Sequence, residues 1–425
     1  MRGSIPEWTH DPPMASTPFT AHVVQSIAAI DAAAWDACAN PPARSFDEAE
    51  GERFNPFLAH AFLNALEASG SVGGRSGWTP VHVTVEDARG RIVAAAPAYL
   101  KSHSQGEYVF DHAWADAYER AGGRYYPKLQ VAVPFTPVTG RRLLVAADAP
   151  EGAREALIGA LRGLRRETKA SSIHATFPTA EDAQRLAGAG FLIRTGEQFH
   201  FSCEGYSNFD DFLGALASRK RKAIKRERRD ALEGDVTIEW LTGLAIRSEH
   251  WDAFFKFYMH TGSRKWGRPY LTRAFFDIIG STMAERVLLV MARRAGRYIA
   301  GAINFIGDDA LYGRNWGAIE HRPFLHFEVC YYQAIDFALA RGLRRIEAGA
   351  QGEHKLARGY RPTLTYSAHE FADARLSRAI ADYLGHERVA VERTIAHYEE
   401  YAPFRRGDGA AQGAEQMGES FDAEV

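Results

Sequence analysis

The stretch FLHFEVCYYQAIDFALARGLRRIEAGAQGEHKLARGY, residues 324–360, decides the fold. Apolar side chains recur at steps of three and four residues from Phe327 to Leu339, which predicts an amphipathic helix. Gly342 supplies a helix stop signal. Residues 345–348 then read as a short strand, followed by a polar loop that ends at Gly359. In α/β proteins, ionisable side chains at the exit of a strand are typical of functional sites.

This loop supplies the first candidate residues. It carries Gln351, Glu353, His354 and Lys355 within five positions. We expect His354 to be catalytic or to orient the substrate, with Glu353 as its partner. Gln351 and Lys355 are predicted to bind substrate, because a lysine can hold a phosphate or a carboxylate. A merely solvated loop is the alternative.

The composition describes a globular, two-domain protein. A chain of 425 residues exceeds one ordinary core, and 46% hydrophobic with 24% charged residues is the balance of a globular protein. The net charge of −2 gives no global reason to expect nucleic acid. Three cysteines, an odd number without a CxxC pair, indicate a reducing compartment. No apolar run is long enough to span a membrane, so we expect a cytoplasmic protein, with peripheral attachment to the inner membrane as an alternative.

The common catalytic motifs are missing from the sequence. It contains no GxSxG, P-loop or HExxH, and its sixteen histidines are dispersed without ligand spacing. We therefore expect neither a metal site nor a permanently bound cofactor.

The chain contains one plan twice. Residues 81–99 align without gaps to residues 287–305, and each segment predicts a β-hairpin closed by Gly-Arg. A helix signal precedes each hairpin, at residues 56–63 and 269–276. Next, FDHAW (110–114) matches YGRNW (312–316), which sets Trp114 over Trp316. A long helix (151–167 and 327–341), a strand and a Gly-aromatic pair then follow in each half. The last match is a histidine nine residues beyond that aromatic residue, His200 in the first half and His369 in the second.

The repeat predicts duplicated domains. We place the first at residues 21–205 and the second at 206–402, with disordered segments at 1–20 and 403–425. Each half reads as helices, hairpin, third strand, helix, strand, loop and strand, which is an α+β class with mixed sheets flanked by helices.

This order resembles the GNAT (acyl-CoA N-acyltransferase) fold, and two such domains in tandem resemble the FemABX-type peptidyltransferases. The stretches FDHAWADAYER, YYPKLQVAVPFTP, QFHF, SRKRKAIKRER, HFEVCYYQAI and GAQGEHKLARGY resemble the FemAB-like "peptidoglycan biosynthesis/recognition" family of predicted N-acyltransferases. The resemblance covers residues 20–402 and implies transfer of an acyl group between an activated carrier and an amine.

The resemblance also implies where a donor would lie, in the cleft where the third strand parts from the strand after the helix. Arg314, Asn315 and Gly317 match the Arg and first Gly of the R/Q-x-x-G-x-G/A turn that binds acyl-CoA, whereas Ile319 departs from it. Arg314 and the neighbouring Trp316 are also predicted to contact substrate. A surface arginine at a strand end is the alternative.

His326 and Glu328 flank the predicted helix start. An amine acceptor arrives as ammonium, so acyl transfer needs a base, and either side chain is a candidate catalytic group. Glu328 has a structural alternative, since a carboxylate complements a helix N-terminus. Cys330 falls on the apolar face and is predicted to be core.

The first domain offers a second group of polar and aromatic residues. We predict that Asp111, His112, Trp114, Tyr126 and Lys128 line a substrate groove shared between the domains. A long loop that packs its own aromatics is the alternative. His200, on the closing strand, is expected to stabilise the interface between domains.

The segment Arg219–Arg229 carries eight basic residues in eleven. A solvated helix is one interpretation. The other is a surface for a nucleotide phosphate, tRNA or anionic lipid head groups.

These observations predict an N-acyltransferase that uses acyl-CoA or another acyl carrier as co-substrate. The acceptor would be a small-molecule or lipid-like amine of the cell envelope, or a peptide precursor. An aminoacyl-tRNA-dependent peptidyltransferase of peptidoglycan synthesis is one alternative, and a non-catalytic binding module with a degenerate GNAT pair is the other.

Overall fold

The computed structural model describes residues 19–41, 54–265, 269–349 and 352–405. The strands are β1 (Thr20–Val24), β2 (Trp78–Pro80), β3 (His82–Glu86), β4 (Ile92–Ala96), β5 (Ala98–Lys101), β6 (Lys128–Val131), β7 (Leu144–Val145), β8 (Ser172–Thr176), β9 (Leu192–Ser202), β10 (Thr237–Thr242), β11 (Val287–Arg294), β12 (Arg297–Ile306), β13 (Ala310–Ala318), β14 (Arg345–Glu347) and β15 (Arg361–Phe371).

The helices are α1 (Ala32–Ala39), α2 (His60–Ala68), α3 (His112–Arg120), α4 (Ala153–Glu167), α5 (Ala180–Gly188), α6 (Phe209–Ala215), α7 (Ser218–Ala231), α8 (Ser248–Lys265), α9 (Arg273–Thr282), α10 (Leu325–Phe327), α11 (Gln333–Ala340) and α12 (Ala374–Glu400). A π-helical turn, Glu328–Tyr332, joins α10 to α11, so the predicted amphipathic helix is one continuous element. It ends at Gly342, whose φ of 64° suits glycine.

The α+β class and the tandem GNAT-like plan are confirmed. In the second half β10, β11, β12 and β13 are antiparallel, and β14 then pairs parallel to β13 after the crossover through α10 and α11. In the first half β5 and β6 are antiparallel and β8 pairs parallel to β6 after α4. Both predicted hairpins are present, as β3–β4 and β11–β12.

The two halves share one eleven-stranded sheet, because each half gives its last strand to the other. β9 of the first half pairs with β14 of the second, and β15 of the second pairs with β8 of the first. β9 and β15 also pair with each other over nine residues, Leu192–His200. The proposed boundary at residue 205 stays a prediction. The strand before it, β9, pairs with β14 of the second half, and a strand after it, β15, pairs with β8 of the first half.

One match within the repeat is wrong. Trp114 lies in helix α3, whereas Trp316 lies in strand β13, so the two are not equivalent. The strand register shows why: Tyr312 pairs with Glu347 in the second half, and Gln130 pairs with His174 in the first. The counterpart of β13 is therefore β6, and α3 is an extra element inserted between β5 and β6.

The cores of the two halves are continuous. Phe62 of α2 packs against Phe275 of α9 with ring centroids 5.8 Å apart, and Phe57 packs against Phe305 at 5.0 Å. These rings belong to one cluster of buried side chains that draws on both halves. Burial of apolar area at this scale stabilises the pairing of the halves.

Parts of the segments predicted to be disordered are ordered. Thr20 begins β1, and Phe404 forms a β-bridge with Leu216. The remainder, residues 1–18 and 406–425, lies outside the described part of the chain. None of the described helices has the length and apolarity needed to cross a membrane.

A buried chain of four hydrogen-bonded side chains fastens β8 to β15. His174 Nδ1 lies 2.7 Å from His369 Nδ1, and the two Nε2 atoms lie 2.7 and 2.8 Å from the hydroxyls of Ser172 and Ser367. Burial lowers the pKa of His174 to about 3 and holds that of His369 well below its usual value. The positive charge of Lys128 adds to the lowering at both rings.

We predict that this pair makes the protein sensitive to mild acid. Both rings are neutral when folded but bind protons below about pH 6.5 when unfolded, so stability falls as the pH falls from there. Thermal unfolding between about pH 7 and about pH 5 measures this. The fall in Tm should be smaller in His174→Gln/His369→Gln than in the wild type. The exposed pair His386→Gln/His397→Gln is the control, and equal falls in all three proteins would contradict the assignment.

Candidate functional site

The strands β13 and β14 part where the sequence predicted a cleft. β13 has nine residues, but only Ala310, Leu311 and Tyr312 pair with β14. Beyond Tyr312 and Glu347 the strand continues without a partner on this side, and the chain after β14 returns through a 3₁₀ turn, Glu353–Arg358. Backbone groups and side chains on β13 after Tyr312 therefore border an opening in the sheet.

Arg314 is the extra residue of a β-bulge at this opening. Ile303 pairs with Asn315 and Asn304 pairs with Gly313, which leaves Arg314 without an opposite residue on β12. A bulge re-aims the side chain that it carries. Burial lowers the pKa of Arg314, yet the guanidinium stays cationic, because its ordinary pKa is far above neutral.

Two strained residues of the first half hold Arg314 in place. Its Nη2 donates to the carbonyl of Phe135, and its guanidinium is hydrogen bonded to Tyr108. Tyr108 and Phe135 have φ values of 60° and 57°, a region that disfavours residues with a Cβ. Strain of this kind persists where the surrounding structure imposes it, often at functional sites.

Lys355 is a second cation at the same opening, and it is more deeply buried than Arg314. It is only 2% exposed, and its Nζ donates to the carbonyl of Gly349 at 3.0 Å. Burial lowers the pKa of Lys355 to about 7, and the charge of Arg314 contributes to the lowering. Within the described ranges, no carboxylate lies within 4.0 Å of Lys355 or Arg314. Lys355 is therefore buried and Arg314 partly buried, and among the described residues neither has the acidic partner that such groups normally require.

Three other predicted residues meet beside Lys355. His354 Nε2 lies 2.9 Å from the hydroxyl of Tyr331, a residue of the π-helical turn. The His326 ring lies 4.8 Å from that of Trp316 and 6.0 Å from that of His354, measured between ring centroids. The structure thus brings His326, His354 and Trp316 together, and their roles stay predictions. Gln351 and the side chain of Glu353 lie outside the described part of the chain.

Glu328 is placed differently from its neighbours. It is fully buried and accepts hydrogen bonds from Arg228 Nε at 3.1 Å, Arg228 Nη2 at 3.0 Å and Gln333 Nε2 at 2.6 Å. Burial raises its pKa, and Arg228 acts in the opposite direction. Both carboxylate oxygens are engaged, so this geometry favours a role in holding α7 against the site. Its catalytic role stays a prediction.

Asn315 and Gly317 lie in β13, not in a turn before a helix. A Cβ on Gly317 would lie 2.2 Å from the carbonyl oxygen of Phe257, so close packing of α8 explains this glycine. Asn315 and Arg314 border a cavity of about 20 Å³ whose other walls include Phe57, Phe135 and Leu271. Binding of an acyl carrier by these residues stays a prediction, and Gly317 has a sufficient structural reason.

Cys330, predicted to be core, is partly exposed on the π-helical turn. A negative charge on Cys330 would raise the pKa of Lys355, so the thiol lies near the opening. A partly exposed position fits the edge of the apolar face more than its centre.

The basic segment forms helix α7, with two distinct sides. On the inner side Arg228 binds Glu328 and Asp336, and Glu227 accepts from Arg358 Nη2 at 3.0 Å. On the outer side Arg219, Lys222 and Arg226 are exposed, and no ion pair holds them within the described ranges. The helix therefore connects a cationic surface with the loop that carries His354 and Lys355.

The first-half candidates form a separate, closed cluster. Lys128 is fully buried, and its Nζ donates to Asp111, to Glu107 at 2.7 Å and to Ser104 at 2.7 Å. Against the effect of burial, the positive charge of Lys128 holds the pKa of Asp111 well below its usual value. The Tyr125 hydroxyl donates to the same carboxylate at 2.8 Å.

The other three first-half candidates differ in exposure. Tyr126 bonds to the Ser104 hydroxyl at 2.8 Å, Trp114 packs its ring 5.0 Å from that of His369, and His112 is exposed. Across the described residues, no hydrogen bond or ring contact joins the five first-half candidates to Lys355 or His354. Their substrate-binding role stays a prediction, and the geometry shows a buried ionic network.

The sequence analysis gave no role to Tyr108 or Glu347, and it assigned His200 only to the interface between the domains. Tyr108 carries no local signal, because a positive φ and a contact between the halves leave no trace in composition or spacing. Glu347 lies at the end of a predicted strand, where an ionisable side chain is itself a signal.

Comparisons with known proteins were made on this chain. The family model described as FemAB-like, peptidoglycan biosynthesis/recognition, matches residues 26–406. No curated protein gives a significant sequence match.

Three solved structures illustrate the structural likeness. The crystal structure of FemX is 13% identical with a TM-score of 0.49, and the match covers 77% of this chain and 95% of that chain. A tandem GNAT protein from the clavulanic acid biosynthesis pathway is 12% identical with a TM-score of 0.44, covering 84% and 99%. L-PGS from Bacillus licheniformis is 10% identical with a TM-score of 0.46, covering 84% and 99%.

We predict that Gly317→Ala destabilises the protein by about 1–3 kcal/mol, because the added methyl group collides with the backbone of α8. Urea unfolding measures the change. Gly313→Ala is the control in the same strand, where a Cβ would meet nothing closer than Asn304 Oδ1 at 3.4 Å. If both substitutions cost equally little, Gly317 is not needed for packing and its role as a ligand contact gains support.

Proposed function

This chain belongs to the FemAB-like family of peptidoglycan biosynthesis/recognition proteins, and on that premise we propose that it is an N-acyltransferase. The acyl group passes from an activated thioester carrier, acyl-CoA or acyl-carrier protein, to an amine of a cell-envelope, lipid or peptide precursor. The transfer is direct, without an acyl-enzyme.

The observation that carries this proposal is a pair of cations, the buried Lys355 and the partly buried Arg314, at the opening between β13 and β14. Among the described residues neither has an acidic partner, and withdrawing such a cation from water is costly, so the site favours negative charge. Acyl transfer supplies it twice: as the anionic group of a donor and as the oxyanion of the tetrahedral intermediate. Preorganised donors aimed at such an oxyanion are usually the largest single contribution to the rate.

The residues beside Lys355 are assigned to orientation. His354 is held by the Tyr331 hydroxyl, and the His326 ring is tilted against that of Trp316. Both line the side of the opening formed by the π-helical turn. Glu353 and Gln351 complete the polar loop in this proposal. Glu328 holds Arg228 and with it α7, as its hydrogen bonds support.

The cavity next to Arg314 bears on the size of the acyl group. At about 20 Å³ it accommodates a group near the size of one water or methyl. A short acyl chain fits against its apolar walls.

The experiment for the proposal is a donor screen on the purified protein. Native mass spectrometry and thermal shift with coenzyme A, acetyl-CoA, octanoyl-CoA and bulk aminoacyl-tRNA identify what binds, and amide formation with amine acceptors follows. Turnover with a thioester supports the proposal. Binding without turnover by any acceptor would favour the non-catalytic binding module.

We predict that Lys355→Met lowers kcat by about 10²–10³-fold, because it removes one donor to the developing oxyanion. Lys355→Arg restores the charge and should recover part of the rate. The exposed Lys256→Met is the control for loss of a lysine. Because the pKa of Lys355 is about 7, its charge is present below that pH and lost above it. The rate should accordingly fall on the alkaline side in the wild type.

If Lys355→Met instead raises KM and leaves kcat unchanged, Lys355 is a ground-state binding residue.

The outer side of α7 favours a second candidate, an aminoacyl-tRNA-dependent transferase. Exposed cations that no carboxylate neutralises attract a phosphate backbone, and the inner side of the same helix is bonded to the site through Glu227 and Arg228. The chain's net charge of −2 confines any such binding to this local surface.

We predict for this candidate that Arg219→Gln/Lys222→Gln/Arg226→Gln weakens tRNA binding and reduces the slope of log K against log salt by roughly 2–3. Filter binding across a salt series measures the slope. The control is Arg375→Gln/Arg378→Gln/Arg393→Gln, an equal loss of exposed charge on α12. Equal weakening by both triple variants would reject α7 as the tRNA surface.

A further inference from the structure

Because the halves exchange their last strands, each half contains an equivalent pair of residues that face each other across two neighbouring strands. In the second half Glu347 of β14 lies opposite His200 of β9, and in the first half His174 of β8 lies opposite His369 of β15. The pairing with β13 and β6 gives the same correspondence. Tyr312 of β13 lies beside Glu347 of β14, and Gln130 of β6 lies beside His174 of β8. The two positions can therefore be compared directly.

The first-half pair is closed. All four ring nitrogens of His174 and His369 are hydrogen bonded, to each other and to two serine hydroxyls, and both residues are about 1% exposed. Such a pair fits a structural role, because no ring nitrogen is left to bind a ligand.

The second-half pair is open. Glu347 Oε1 accepts from Arg345 Nε at 3.2 Å, whereas the buried Oε2 has no hydrogen-bond partner among the described residues. His200 Nε2 lies 3.9 Å from that oxygen, and the His200 side chain keeps 13% of its exposure. The pair sits at the last paired position before β13 and β14 part, and the charge of Lys355 acts on His200.

The hydrogen bonds around His200 assign its tautomer. Gln198 Nε2 donates to the carbonyl of Pro137 at 2.8 Å, so Gln198 Oε1 is an acceptor. His200 Nε2 lies 3.2 Å from Oε1 and must carry the proton. The lone pair then belongs to Nδ1, for which the described residues provide no partner. A hydrogen bond at one ring nitrogen sets the function of the other in this way.

We propose that His200 Nδ1 accepts the proton of the acceptor ammonium, and that Glu347 is a positioning residue that stabilises the resulting imidazolium. This rests on the proposed acyl transfer and assigns its proton acceptor to a strand that the first half contributes to the second-half opening. Gln198 holds the tautomer.

The step balances as follows. The ammonium gives one proton to Nδ1, and the freed lone pair forms the carbon–nitrogen bond to the acyl carbon. The tetrahedral adduct then breaks its bond to the leaving sulfur, or to the ester oxygen of an aminoacyl donor. The leaving group takes the second proton from nitrogen, and His200 returns the first to water.

The charges that face His200 suit this role. Burial lowers its pKa, Glu347 opposes that effect, and Arg345 and Lys355 add to it. The ring is thus neutral at neutral pH and able to accept a proton.

The test compares two nucleophiles, n-butylamine, which is an ammonium at neutral pH, and hydroxylamine, which is largely unprotonated there. Acetyl-CoA and bulk aminoacyl-tRNA are the donors, and mass spectrometry measures the products. His200→Gln should lower the rate with butylamine by about 10²-fold and that with hydroxylamine by less than about threefold. The exposed His386→Gln is the control.

The role of His200 and the acyl-transfer activity can fail independently in this experiment. If His200→Gln lowers both rates equally, the proton-acceptor role is wrong while acyl transfer stands. If the wild type converts neither nucleophile with either donor, the proposed function itself fails and the inference with it.

Glu347→Gln supplies a second, independent readout. The carboxylate raises the pKa of His200, so removing it should move the acid limb of the pH–rate profile to lower pH. The exposed Glu204→Gln is the control. An unmoved acid limb would reject Glu347 as the positioning residue, even if the rate fell.

Discussion

The exchange of β9 and β15 is the constraint on which the rest of the structure depends. Each half completes its sheet only with a strand from the other, so neither half has a full set of backbone hydrogen bonds alone. Unpaired strand edges are costly and prone to wrong pairing, and the exchange removes two of them. It also fixes the halves in one relative position, which a site built from both of them requires.

That site concentrates features that oppose stability. Lys355 is buried and Arg314 partly buried, with no acidic partner for either among the described residues. Two residues are held at positive φ, and a bulge interrupts the β12–β13 ladder at Arg314. The continuous apolar core around Phe57, Phe62 and Phe275 lies next to these features and offsets their cost. Packing of this kind holds the Phe135 carbonyl and Tyr108 against Arg314, where an isolated loop would relax.

Duplication followed by divergence accounts for the difference between the halves. At equivalent positions one half has a closed pair of neutral histidines, and the other has a carboxylate beside a histidine at the edge of an opening. The ionic network of Asp111, Glu107 and Lys128 lies at the N-terminal end of β6, away from the end at which strands part. One half thus carries a closed structural pair where the other carries the open pair to which we assign the chemistry.

The sequence by itself determined the elements that depend on local periodicity and turn chemistry. The helix that follows Phe324, its stop at Gly342, the strand Arg345–Glu347 and both hairpins follow from spacing and from glycine. It also predicted that His354 and Lys355 face one opening, because a loop that follows a buried strand lies at the edge of the sheet.

Only the tertiary structure decided which half supplies each remaining part. The match of Trp114 with Trp316 failed because α3 is inserted before β6, and similar short motifs do not report strand register. Glu328, predicted at a helix start, proved to be bonded to Arg228 from a segment 100 residues earlier in the chain. His200 reaches the second-half opening because the last strands are exchanged. Tyr108 and Phe135 reach it through contacts of first-half loops with Arg314. That exchange arises from pairing between distant segments, which no local pattern in the sequence encodes.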